Sequence, residues 1–207
     1  MNPFKFIKSL FSKSASSPNP TKTVEIPPIL LAHVSNRGCP PVEFVRELIA
    51  WAKYAPEEIF APNSAQNDVY MSVRGVLGPW RSDNHRRAVM CEILLVLGGF
   101  ESWWDWNCGR DTTNATSVTP TTIEAGIFQV SANSMNFGYE LRSLVIQRVG
   151  SDDPNLFQEA MKQDHTLALE YAARLLRRTV NHNGPVKRHE IDPFLSKSAV
   201  SAFEKLL

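Results

Sequence analysis

The chain has 207 residues, of which 43% are hydrophobic and 10% aromatic, enough to form the core of one globular domain. Its formal net charge of +1, without a basic block interleaved with aromatic residues in the body of the chain, argues against a nucleic-acid-binding surface. No apolar run approaches the roughly 20 residues of a membrane span.

Residues 1–27 are predicted to be a basic tail and a Pro/Ser-rich linker, followed by one folded domain over residues 28–207. Lysines at 5 and 8 interrupt the apolar residues of the tail before a signal-peptide core of about 7–15 residues can form, so no standard secretion signal is predicted. Apolar side chains on one helical face predict a weak contact of residues 1–24 with an anionic membrane or an export partner; a frayed tail is the alternative. Two alternatives for the location of the protein follow from this: it stays in the cytoplasm, or it is exported by a non-classical route.

The first helix is predicted from Pro41 to about Tyr54, because proline at the first helical position loses no intrahelical hydrogen bond. Residues 55–82 read as irregular, with a turn of helix near 66–73. A longer helix is predicted over residues 84–97, starting at Ser82 and Asp83 and apolar on nearly all sides, as expected for a helix inside a core. Gly98 and Gly99 are predicted to end it.

This helix brings Glu101 to the rim of the core. A carboxyl group among apolar and aromatic neighbours has its charged form disfavoured, so its pKa rises and it can act as a general acid near neutral pH. The alternative is an exposed loop glutamate or a helix cap.

The composition of residues 105–122, rich in Asn, Gly, Asp and Thr, is typical of turns and short strands. Helices are predicted at 137–149, at 154–162 after Asp152 and Asp153, from Asp164 to about 180, and after Ser198 to the end.

The three cysteines, Cys39, Cys91 and Cys108, are an odd number, which does not support a disulfide framework. A Cys39–Cys108 bridge is one alternative, and a thiol enzyme pairing Cys108 with His182 is another, although Cys108 lacks the helix-start setting that lowers a thiol pKa. The histidines show no zinc spacing and no glycine loop could cradle a phosphate, so no metal or other cofactor is expected.

Three motifs occur in order: Glu101-Ser102 after the apolar helix, Gly126-Ile-Phe-Gln129 after a polar loop, and an asparagine in Val180-Asn-His-Asn-Gly-Pro185 after another helix. This set resembles the lysozyme-like superfamily, whose goose-type lysozymes and lytic transglycosylases carry Glu-Ser, Gly-Leu-Met-Gln and Ala-Tyr-Asn. The resemblance covers roughly residues 84–185, and the tyrosine of the third motif is replaced. It implies a mainly α fold with a small β-hairpin (α+β, lysozyme-like) and a monomer that cleaves a polysaccharide.

By the same resemblance, Glu101 is the general acid, and the second carboxylate that glycoside cleavage usually needs is Glu124, with Asp111 and Asp105 as alternatives. Trp103 and Trp106 could also stack on sugar rings. The residues expected to contact substrate are Ser102, Trp104, Gln129, Ser131, His182 and Asn183. Hydrolysis and transglycosylation both stay open, as do peptidoglycan, chitin and chitosan as substrates. A different class of function is a non-catalytic glycan-binding or structural module on the same fold.

Overall fold

The computed structural model of the chain describes residues 25–207, which contain nine α-helices and one two-stranded antiparallel sheet. The predicted tail contact of residues 1–24 lies outside this range. The helices are α1 (Val42–Tyr54), α2 (Val69–Ser72), α3 (Arg74–Leu77), α4 (Asp83–Ser102), α5 (Tyr139–Val149), α6 (Pro154–Gln163), α7 (His165–Arg178), α8 (Gly184–Lys187) and α9 (Lys197–Leu206), and the strands are β1 (Glu124–Ala125) and β2 (Val130–Ser131). The predicted mainly helical fold with a small antiparallel sheet is confirmed.

The core surrounds α4, as its sequence predicts. Residues 88–99 are all buried, and α1, α7, α8 and α9 pack around them. At the start of the helix the Ser82 hydroxyl accepts a hydrogen bond from the backbone N–H of His85 at 3.1 Å, which satisfies one of the open donors of the first turn. A helix that is apolar on all sides is stable only when other helices cover every side.

The prediction that Gly98 and Gly99 end this helix is wrong. The helix continues to Ser102, and Trp103 ends it in the left-handed conformation with φ 60° and ψ 33°. The glycines instead make room for the ring of Trp104, because a Cβ atom on Gly99 would lie 2.6 Å from Trp104 Cζ2. The Trp104 indole N–H donates a hydrogen bond to the Leu95 carbonyl at 2.8 Å, which locks the ring against the helix.

We therefore expect Gly99→Ala to lower the free energy of unfolding by about 1–3 kcal/mol, the usual cost of overpacking a core. The added methyl group must displace the Trp104 ring and strain its hydrogen bond to Leu95. Denaturant titration followed by tryptophan fluorescence measures the change. Gly75→Ala is the matched control: it lies in α3, is exposed, and a Cβ there meets nothing within 4 Å. Equal stability of the Gly99→Ala protein and the wild type would contradict this packing.

The remaining helices lie close to their predicted positions. Helix α1 begins one residue after Pro41, and α7 is capped as predicted, with the Asp164 carboxylate accepting a hydrogen bond from the Leu167 N–H at 2.9 Å. The last helix starts at Lys197, and its cap is Ser196 rather than Ser198. No helix within residues 25–207 is long and apolar enough to cross a membrane.

The short hairpin is fixed against α6. Glu124 pairs with Ser131 and Ala125 with Val130, and Gly126 follows β1 with a φ of 73°. A Cβ atom on Gly126 would lie 2.4 Å from the Met161 carbonyl oxygen, so only glycine allows this close approach. The hairpin thereby holds Glu124 in a defined place.

The three cysteines are all free thiols, so the alternative of a Cys39–Cys108 bridge is wrong. Cys91 is buried in α4, as a small core residue would be.

Candidate active site

A cleft of about 580 Å³ opens at the C-terminal end of α4. Its walls come from the last turn of α4, the loop at 111–114, the hairpin, the segment 182–190 and Arg37 from the loop before α1. Six residues predicted for the site meet here, namely Glu101, Trp103, Asp111, Glu124, Gln129 and His182.

Glu101 lies in the last turn of α4, between Phe100 and Trp103, which line the same cleft. Burial raises the pKa of its carboxyl to about 8. The Arg188 guanidinium opposes this rise, whereas the Glu124 carboxylate adds to it. Glu101 therefore carries a proton at neutral pH and can donate it.

The backbone directly after Glu101 is strained. Trp103 and Trp104 both have positive φ angles, 60° and 59°, a region that costs a non-glycine residue of order 1–3 kcal/mol. The buried Trp104 ring holds this turn in place, while the Trp103 side chain remains 55% exposed on the cleft wall. The arrangement places an aromatic ring beside Glu101.

Glu124 is the better placed of the candidate partner carboxylates. One of its oxygens, Oε1, accepts a hydrogen bond from the Asn114 amide at 2.7 Å. Its Oε2 is buried and has no hydrogen-bond partner among residues 25–207. A buried carboxylate oxygen without a protein partner is an acceptor suited to a water molecule or a sugar hydroxyl.

Asp111 lines the cleft, but its side chain forms hydrogen bonds within its own turn. Its Oδ1 accepts hydrogen bonds from the Thr113 N–H at 2.8 Å and from the Thr113 hydroxyl at 2.7 Å, and these hold its pKa below the usual range. Asp105 is exposed, accepts a hydrogen bond from the Asn107 N–H at 2.8 Å, and does not line the cleft. Asp111 thus stays ionised as the second candidate, and Asp105 lies outside the site.

His182 and Gln129 line the same cleft as Glu124. Burial lowers the pKa of His182, although the Glu124 carboxylate opposes this, so the imidazole is neutral at neutral pH. Its ring meets the edge of Phe137 at 6.2 Å between centroids. The Gln129 side chain donates to the Gly126 carbonyl at 3.0 Å and so supports the hairpin.

Four predicted contact residues are buried and do not line the cleft. The Ser102 hydroxyl donates to the Ile127 carbonyl at 2.8 Å, which ties the end of α4 to the hairpin. The Ser131 hydroxyl donates to Asn133 Oδ1 at 2.7 Å. Trp104 is 5% exposed and Asn183 2% exposed. All four side chains are nearly fully buried, so the structure does not bring these predicted contact residues to the cleft surface.

Several cleft residues were not predicted. They are Arg37, Phe100, Asn114, Arg188 and Glu190. Arg188 and Glu190 form an ion pair, with Nε and Oε1 2.7 Å apart. Only the polar composition of the loop could have indicated Asn114, and no sequence motif marks the others.

The chain matches no protein-family model, no curated protein and no solved structure. Within residues 25–207, no group of three or more His, Cys, Asp or Glu side chains could hold a metal ion.

Proposed function

We propose that the protein cleaves a β-1,4-linked amino-sugar glycan, foremost peptidoglycan, with Glu101 as the general acid. The observation that carries this proposal is that Glu101 and Glu124 line one cleft, where burial raises the pKa of Glu101 to about 8. A buried central helix whose last turn carries Glu101 and a hairpin that supplies Glu124 support a lysozyme-like fold, in line with the ordered motifs of the sequence.

In this mechanism Glu101 gives its proton to the glycosidic oxygen, and the bond from that oxygen to the anomeric carbon breaks. Positive charge then develops on the sugar that remains. Glu124 accepts a proton from a water molecule whose oxygen attacks the anomeric carbon, which yields a reducing sugar. Asn114 holds Glu124 Oε1, so Oε2 is the atom that meets the water. The exposed face of Trp103 is suited to stacking on a sugar ring.

The test is incubation of the purified protein with isolated peptidoglycan, followed by mass spectrometry of the soluble muropeptides. Release of disaccharide-peptides supports the proposal. The alternative, a glycan-binding module without catalysis, predicts binding of the exposed Trp103 surface to the same material and no soluble fragments.

The pKa of Glu101 predicts how cleavage depends on pH. The acid is active only when protonated, so kcat/KM should fall about tenfold per pH unit above pH 8. Glycan binding measured by tryptophan fluorescence at the same pH values separates loss of catalysis from loss of affinity. A rate that stays constant up to pH 10 would remove Glu101 from the role of acid.

A further inference from the structure

The cleft contains two arginines, and only one of them is neutralised. Arg188 is paired with Glu190, whereas the Arg37 side chain has no hydrogen bond or ion pair with any of residues 25–207. Residues 1–24 contain no Asp or Glu that could pair with it. Glu101 lies near enough for Arg37 to lower its pKa, but Glu101 is protonated at neutral pH and does not neutralise the guanidinium. Arg37 therefore presents an uncompensated charge to whatever occupies the cleft.

Backbone hydrogen bonds hold the loop that carries Arg37 in one conformation. Residues Ser35–Arg37 form a 3-10 turn, closed by hydrogen bonds from the Arg37 N–H to the Val34 carbonyl at 2.9 Å and from the Val34 N–H to the Gly38 carbonyl at 2.8 Å. Gly38 has a φ of 89°, which lets the chain turn back sharply. The buried Val34 anchors the loop to the core.

The guanidinium also has a fixed support. Its Cζ lies 5.0 Å from the ring centroid of Trp103, within the range of a cation–π interaction. An arginine supported on one face keeps its N–H donors in a planar fork that matches the two oxygens of a carboxylate. Holding the side chain in place beforehand reduces the entropy lost when a ligand binds.

We infer that Arg37, supported by Trp103, binds a carboxylate carried by the glycan and thereby selects acidic glycans over neutral chitin-type chains. The inference rests on the proposed function for its substrate class. Because the Arg188–Glu190 pair carries no net charge, Asp111 and Glu124 make the rest of the cleft acidic, so an anionic group is accepted only beside Arg37. The carboxylate has two possible sources, the lactyl group of the amino sugar and the peptide attached to it.

The experiment compares three substrates. They are a neutral N-acetylglucosamine hexamer, glycan strands freed of peptide so that their lactyl carboxylates are exposed, and intact peptidoglycan. For the anionic substrates we expect Arg37→Gln to raise KM by about 5- to 20-fold, the range for a half-buried charge-assisted contact, with kcat little changed. On the hexamer the same variant should match the wild type. A larger effect on peptide-free strands assigns the lactyl group, and one on intact peptidoglycan alone assigns the peptide.

Two further variants sharpen the comparison. Arg37→Lys keeps the charge but loses the planar fork of N–H donors, so its KM for the anionic substrates should lie between those of the wild type and Arg37→Gln. Arg46→Gln removes an equal charge from the exposed face of α1, outside the cleft, and should leave all three substrates unaffected. Added salt should weaken the binding of the anionic substrates less in the Arg37→Gln protein than in the wild type. Equal losses on neutral and anionic substrates, or no loss on either, would overturn the inference.

Binding separates this inference from the proposed function. Affinity for the same three glycans is measured by tryptophan fluorescence in protein carrying Glu101→Gln, with and without Arg37→Gln. If the wild type binds anionic strands in an Arg37-dependent way but cleaves none of the glycans, the proposed enzymatic activity is refuted and the inference about Arg37 is supported. If the wild type cleaves the glycans but their binding does not depend on Arg37, the proposed function is supported and the inference about Arg37 is refuted.

Discussion

Glu101→Gln should reduce kcat/KM for glycan cleavage by about 10²- to 10⁴-fold, the usual contribution of a positioned general acid. The amide has the size of the carboxyl group but cannot donate a proton to the glycosidic oxygen. Release of muropeptides from isolated peptidoglycan measures the rate, and circular dichroism checks that the fold is retained. Because the wild-type carboxyl is already neutral at pH 7, the substitution adds no new uncompensated charge to the site. Cleavage at the wild-type rate would show that Glu101 is not the acid.

Glu92→Gln is the matched control, because Glu92 belongs to the same helix and burial raises its pKa to about 8 as well. It lies outside the cleft, where its Oε1 accepts a hydrogen bond from the Ser196 N–H at 2.8 Å, a bond that glutamine can also accept. We expect normal cleavage from this variant. A similar loss in both variants would mean that neutral carboxyl groups in α4 matter for the fold rather than for catalysis.

The Glu92→Gln substitution should also change the stability of the folded protein. Between the ordinary pKa of 4.5 and the folded value of about 8, the unfolded chain ionises Glu92 whereas the folded chain keeps it protonated. The unfolding free energy therefore falls as pH rises through this window, by up to about 1.4 kcal/mol per pH unit for this group. Glu92→Gln should remove that loss and unfold at a higher temperature than the wild type at pH 8.

Glu124→Gln should lower the rate of hydrolysis by about 10²- to 10³-fold, because the amide cannot take the proton of the attacking water. The amide oxygen can still accept the hydrogen bond from Asn114, so the hairpin should keep its position. The wild type is expected to release reducing sugars. In the variant, residual product should include the anhydro sugar that forms when a hydroxyl of the substrate replaces water, and mass spectrometry distinguishes the two by one water.

Asp111→Asn tests the second candidate under the same conditions. Since Asp111 Oδ1 is already engaged by Thr113, we expect a smaller loss than for Glu124→Gln. A larger loss from Asp111→Asn would exchange the roles of the two residues. Anhydro products from the wild type throughout would exclude both carboxylates from activating water.

The sequence indicated correctly what short-range chemistry decides. The periodic apolar residues of α1 and α7 predicted both ends of these helices within a few residues, and caps such as Ser82 and Asp164 marked the starts of α4 and α7. Each of those signals involves residues only three or four positions apart, so the chain carries them wherever it folds. The apolar run before Glu101 likewise predicted its raised pKa, because a carboxyl group at the end of a buried helix loses solvent in any compact arrangement.

Only the tertiary structure decided how distant segments share one cleft. Gly98 and Gly99 read as a helix stop, and only the folded Trp104 ring shows that they are packing sites. Arg37 and Arg188 lie 151 positions apart in the sequence and still reach the same cavity, while Ser102 and Asn183, which the motifs singled out, are buried behind its wall. The physical reason is that exposure, pairing and charge compensation depend on which side chains meet across the core, and neither periodicity nor spacing along the chain specifies those neighbours.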